Sequence, residues 1–150
     1  MEAKQKTIKL FEIKKIKTDF ESKKILSSED GFNFIKKFYG DDIDVFESFF
    51  ILLLNRANNT IGYAKISQGG ICGTVVDVKI IAKYVVDSLA SGVILAHNHP
   101  SGNMKASEED INMTKKIVGG LKFLDAIVLD HLILCGDDHY FSLADNGLMF

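Results

Sequence analysis

The chain has little of several things whose presence would have pointed elsewhere. It holds two cysteines, Cys72 and Cys135, with no C-x-x-C pair among its 150 residues, so neither a disulfide framework nor a cysteine-based zinc module is available. No hydrophobic leader follows Met1, and no apolar run approaches the roughly 18 residues that span a bilayer. The run 49–54 stops at Asn55, and the run 92–96 stops at His97. A cytoplasmic protein with reduced thiols and no membrane partner is the expectation. Tryptophan is absent, and there is a single arginine, Arg56. With a pI of 6.1, against a pI above about 9 for a typical nucleic-acid-binding domain, nucleic acid is not favoured as a partner.

What is present suits one globular unit. A 150-residue chain with 47% hydrophobic residues is long enough to bury a substantial core and short for two domains. The net charge of -2 is uneven, because the first 25 residues carry eight Lys against four acids. A basic arm over 1–25 followed by an acidic domain over 26–150 is the expected organisation. A Lys-rich solvated edge accounts for the arm.

Apolar spacing and turn residues lay out the elements. Residues 7–17 mix Lys with Ile8, Leu10, Phe11, Ile13 and Ile16, as an amphipathic strand or arm would. Ser27 and Ser28 ahead of Glu29 and Asp30, then Phe32, Ile35 and Phe38, predict an N-capped helix over 28–39 that Gly40 ends. The runs 46–54 and 60–67, joined by Asn58 and Asn59, form a hairpin signal. After Gly69, Gly70 and Gly73, Asp77 caps a helix with Ile80, Ile81, Tyr84, Val85 and Leu89 as its buried face. Residues 92–99, apolar on both faces and stopped by Pro100, read as a buried strand with its chemistry at the C-terminal end. Alternation sends His97 and His99 to one face. A helix over 107–124 turns Ile111, Thr114, Val118 and Leu121 inward, with Ile117 and Leu124 beside them. Two more strands, 126–135 and 139–143, flank a turn at 136–138. The class is α/β or α+β, a three-layer mixed sheet flanked by helices.

His97, His99, Ser107 and Asp110 read H-x-H-x7-S-x2-D. Two imidazoles two residues apart on a strand converge on one ion, and a carboxylate from the first turn of the next helix supplies a third ligand, leaving a position for water. Such a water needs a base, and Glu47, at the head of an apolar run, is the best candidate. A plainer reading makes Ser107 and Asp110 a capping box, with Glu108 and Glu109 favoured by the helix dipole. It leaves both histidines unexplained. The spacing arises by chance in roughly one such chain in two thousand, so a metal site is preferred. Asp130 and His131, polar within 126–135, are candidates to support the ligands from behind, with a mutually satisfied structural pair as the alternative. His139 is expected to be exposed, and the cysteines to be small buried hydrophobes. The string His97-Asn98-His99 is not an HNH nuclease motif, whose residues are dispersed. A zinc nucleobase deaminase would need H-x-E and P-C-x-x-C, and both are missing.

These residues resemble the JAMM signature of the JAB/MPN metalloprotease superfamily and, more closely, its bacterial RadC branch. The likeness runs from Val45 to the C-terminus through Leu53-Leu54-Asn55-Arg56-Ala57-Asn58, Gly69-Gly70-Ile71, Gly73-Thr74-Val75, His97-Asn98-His99-Pro100-Ser101-Gly102, Leu129-Asp130-His131, Tyr140-Phe141-Ser142 and Asp145-Asn146-Gly147-Leu148. The resemblance implies a cytidine-deaminase-like JAB fold and zinc held by His97, His99 and Asp110. It implies Glu47 as the base that deprotonates water, and Ser107 as the residue that stabilises the oxyanion. The reaction would be hydrolysis of a peptide or isopeptide bond in a protein substrate. Three departures qualify the likeness. Residues 1–44 show no helix-hairpin-helix, Asn98 stands where the eukaryotic branch has Ser or Thr, and Ala106 stands where Pro is common. None removes a ligand. The alternative is a non-catalytic, zinc-stabilised accessory protein in DNA repair or mobile-element maintenance.

Overall fold

The structure, a computed structural model, describes residues 8–10, 12, 14–70 and 73–149. In chain order the elements are α1 (Ser28–Ile35), β1 (Ser48–Leu54), β2 (Thr60–Gln68), α2 (Val78–Ser88), β3 (Gly92–Asn98), α3 (Glu108–Lys122), β4 (Ile127–Leu134) and β5 (Tyr140–Ser142). Short 3-10 turns at Lys36–Phe38 and Asp41–Asp44 link α1 to β1. Both runs that are apolar on two faces become strands with every residue buried, β1 and β3. They sit at the centre of one mixed sheet of order β2-β1-β3-β4-β5. Only β3 and β4 run parallel, joined through α3.

Helices cover both faces of the sheet, and side-chain alternation sorts the core accordingly. Phe49, Ile51, Leu53, Val93 and Leu95 pack under α2 and α3 with Ile81, Val85, Ile117 and Leu121. Leu52, Leu54, Ile94, Ala96, Leu132 and Leu134 face α1 with Phe32, Phe34 and Ile35. A three-layer mixed sheet is what the sequence predicts. The remaining elements also agree, except that the helix expected over 28–39 ends at Ile35 and gives way to the 3-10 turn Lys36–Phe38.

The helix faces need correction. In α2, Ile81 and Val85 are the buried pair, whereas Ile80 and Leu89 are exposed. Leu89 is the C-cap, held at φ 54° in the left-handed conformation that ends the helix, so its side chain leaves the stripe. In α3 the inward positions are Asp110, Thr114, Ile117 and Leu121. Ile111 and Val118 lie at the margin, and Leu124 lies past the end of the helix and is exposed. Of the strand or arm expected over 7–17, no strand forms among the described positions. Its Phe11 and Ile13 lie outside them. The segment reaches the fold through the hairpin tip, where Ile25 N–H donates to Asn58 O (2.9 Å) and Thr60 N–H to Lys23 O (2.8 Å).

One irregularity bears on function. Val93 pairs with Val128 but Ile94 pairs with Asp130, so Leu129 is an extra residue in β4. This bulge reverses the parity of everything after it. Val128 faces α2 and α3, whereas Leu132 and Leu134 face α1, which leaves His131 on the α3 side.

Leu95 lies at the middle of β3 with no exposure. Leu95→Ala is expected to lower unfolding stability by about 3 kcal/mol, read as a lower urea midpoint at unchanged m-value.

Candidate metal centre

The site forms where β3 ends and α3 begins. Alternation along β3 turns His97 toward α3, and His99, one residue past the strand, follows it. Ser107 is the N-cap of α3: its hydroxyl accepts from Asp110 N–H (3.0 Å), and the Asp110 carboxylate accepts from Ser107 N–H (2.8 Å). This capping box fixes the Asp110 side chain with one oxygen 3.2 Å from His97 Nε2 and the other 3.4 Å from His99 Nε2. Capping and clustering are therefore compatible uses of one carboxylate, not rival readings.

Glu47 arrives through β-sheet register. Phe49 pairs with His97 in the antiparallel β1–β3 ladder, so Glu47, two residues back, lies level with His99, two residues on. Its Oε1 is 3.7 Å from His97 Nε2. One ligand atom from each of Glu47, His97, His99 and Asp110 lies within 4.8 Å of every other. The two histidine Nε2 atoms are 2.9 Å apart.

Asn98, between the two histidines, points to the opposite face of β3. Its Nδ2 donates to the carbonyls of Ile43 (2.6 Å) and Phe46 (2.8 Å), and its Oδ1 accepts from Ser48 N–H (2.8 Å). Both neighbours of Glu47 are thereby tied to the strand that carries the histidines. On the other side Glu47 O accepts from Gly69 N–H (2.8 Å). Gly69 must be glycine, since a Cβ would sit 1.9 Å from the Gly73 carbonyl. Gly73 itself has φ 137°, and a Cβ there would lie 3.4 Å from the Glu47 carboxylate.

The donor chemistry fits a cation. His99 Nδ1 lies 2.6 Å from the Asn103 carbonyl, which only accepts, so Nδ1 carries the proton and Nε2 presents a lone pair. That lone pair and two carboxylates face one another, an arrangement that positive charge must reconcile. In the protein alone, protons do so. Burial opposes the Asp110 charge, but the imidazoles of His97 and His99 beside it hold the carboxyl well below the usual range. The bond to Asp110 raises His99. Burial raises Glu47, partly offset by the two histidines.

Behind the cluster, His97 Nδ1 lies 2.7 Å from His131 Nε2, and His131 Nδ1 lies 2.6 Å from Thr114 Oγ1. The Phe49 ring stacks on His97 with an interplanar angle of 9°. Asp130 does not join this group. Its carboxylate accepts from Ser142 Oγ, Ala144 N–H and His131 N–H, binding β4 to β5 and the C-terminal turn, because the bulge puts it on the other face. The pairing of Asp130 and His131 as joint supports thus divides. Asn98 was noted in the sequence only as a departure, although an amide inside an apolar strand is itself a signal. His139 is exposed. Cys135 is buried with its thiol on Asp137, and burial raises its pKa. Cys72 lies outside the described residues. No helix among the described residues is long and apolar enough to cross a membrane.

Glu47, His99, Ser107 and Asp110 open together onto a cleft of about 500 Å³, with Gly73, Thr74 and Lys105 on its walls. A comparison with known families matches residues 25–148 to the RadC-like JAB domain. The chain belongs to that family. A UPF0758 protein of Flavobacterium johnsoniae is 42% identical over 126 residues, 84% of this chain and 54% of its own length. One from Porphyromonas gingivalis is 43% identical over 103 residues, 69% of this chain and 45% of its own. One from Clostridium acetobutylicum is 34% identical over 142 residues, 93% and 60% respectively. The chain spans about half the length of these relatives. The RadC-like match covers every residue of the cluster.

Asn98→Ala leaves one buried amide N–H and two carbonyls without their partner. The expected loss is about 2–3 kcal/mol of stability, measured by urea denaturation. Faster hydrogen exchange at Ser48 N–H should accompany it.

Proposed function

We propose that this RadC-like domain is a metal-dependent amide hydrolase, with zinc as the cation and a peptide or isopeptide bond of an unidentified protein as substrate. One observation carries the reading: Glu47, a partly buried carboxylate with no capping role, faces the same point as His97, His99 and Asp110 and opens onto the cleft. His97, His99 and Asp110 would hold the ion. Bound zinc supplies Lewis acidity and lowers the pKa of water.

The residues of the chain carry the remaining steps. Glu47 accepts a proton from water as the water oxygen bonds to the carbonyl carbon. It passes that proton to the nitrogen as the C–N bond breaks. Burial raises the Glu47 pKa, which brings the base nearer to working pH and eases both transfers. Ser107 Oγ already accepts from Asp110 N–H, so its hydroxyl proton is free to meet the carbonyl oxygen as charge develops there.

The test pairs metal content with turnover of a peptide and an isopeptide reporter. Glu47→Gln should keep one zinc per chain and lose about 100-fold or more in turnover. His97→Ala should lose the metal as well. Undiminished hydrolysis by Glu47→Gln would refute the assignment of the base. Absence of zinc uptake by the unaltered protein would refute the metal reading.

A further inference from the structure

We propose that Thr114 and His131 act as positioning residues that fix which nitrogen of His97 carries its proton, keeping Nε2 free to bind a cation. The proposal rests on His97 being a ligand, and it concerns what makes that ligand competent. A neutral imidazole has one N–H and one lone pair. If the proton sat on Nε2, His97 would point a hydrogen into the cluster and bind nothing there.

The hydrogen-bond polarity can be followed from Thr114. Thr114 Oγ1 is 2.6 Å from the Asp110 carbonyl oxygen. A carbonyl only accepts, and two oxygens that close repel unless a hydrogen lies between them, so the Thr114 hydroxyl proton is committed to Asp110 O. Thr114 Oγ1 is also 2.6 Å from His131 Nδ1. With its one proton already used, the hydroxyl accepts there, and His131 carries its hydrogen on Nδ1.

His131 has no exposure, an environment that favours a neutral ring. Its Nε2 is then an acceptor, 2.7 Å from His97 Nδ1, and His97 donates through Nδ1. The lone pair of His97 is thereby placed on Nε2, the atom 3.2 Å from Asp110 and 3.7 Å from Glu47. Reversing the chain would require the Thr114 and Asp110 oxygens to meet without a hydrogen.

Thr114 is needed because of the kind of partner His97 has. His99 rests on the Asn103 carbonyl, which only accepts and so fixes the tautomer by itself. His97 rests on another imidazole, which donates or accepts equally well through Nε2. A further group must set its direction, and Thr114, one turn after Asp110 on the buried face of α3, does so. The bulge at Leu129 is what brings His131 into line.

Two measurements test this. Long-range proton–nitrogen NMR on the metal-free protein at pH 8 should show His97 protonated at Nδ1, and Thr114→Val should shift it toward the Nε2 tautomer. Cobalt(II) titration followed by its visible bands should show affinity falling about 10- to 100-fold in Thr114→Val and His131→Phe. Thr114→Ser, which keeps the hydroxyl, should stay within about threefold of the unaltered protein. Circular dichroism confirms that each variant is folded. A His97 proton on Nε2 in the unaltered protein, or cobalt binding by folded Thr114→Val equal to that of Thr114→Ser, would overturn the proposal. If the unaltered protein took up no cobalt, the metal reading would fall, and the NMR tautomer would still decide this inference.

Discussion

The arrangement depends on the buried strand β3 and on the Asn98 amide in particular. A strand sends successive side chains to opposite faces, so His-Asn-His cannot place all three residues in one site. It places two imidazoles on the α3 side and an amide on the other. That amide finds three backbone partners around Glu47 and closes the loop that carries it. The geometry of the cluster is therefore set from both sides of the sheet. The two imidazoles are aimed on one face, and the Glu47 carboxylate is anchored from the other.

The capping box at the start of α3 does comparable work. An N-cap hydroxyl and an N3 carboxylate satisfy two amides that would otherwise be unpaired. The same pairing removes the rotamer freedom of Asp110. A side chain already fixed by helix initiation loses less entropy when it meets a cation than a free aspartate would. The three acidic residues of the first helical turn are also stabilised by the positive end of the α3 dipole, which helps keep Asp110 ionised.

Much of this was legible in the sequence, and the exceptions have identifiable causes. The helices, the hairpin, the buried strand and the four residues of the motif follow from local periodicity and spacing. Glu47 was found because it heads an apolar run. Its position opposite His99 follows from strand register, which one chain read alone does not fix. His131 was visible as a polar residue in a strand, but its face depended on the bulge at Leu129. Simple alternation from Val128 would have put Asp130 on the α3 side and His131 on the other. Leu89 was misplaced because a left-handed cap breaks the helical period at that residue. Thr114 was read as one more inward residue, since periodicity reports burial and says nothing about where a hydroxyl proton goes.

Burial within the cluster leaves the cleft as its open side. His97 is 1% exposed, closed in by the Phe49 ring on one side and His131 behind. His99, Glu47, Ser107 and Asp110 line the cleft instead. A group entering from solvent meets a lining that includes Glu47, His99, Ser107 and Asp110, while His97 is buried behind it. His97 Nδ1 meets His131 Nε2 rather than solvent. On the proposal above, the choice of His97 tautomer belongs to the packed interior between β4 and α3, where His131 and Thr114 stand outside the cleft lining.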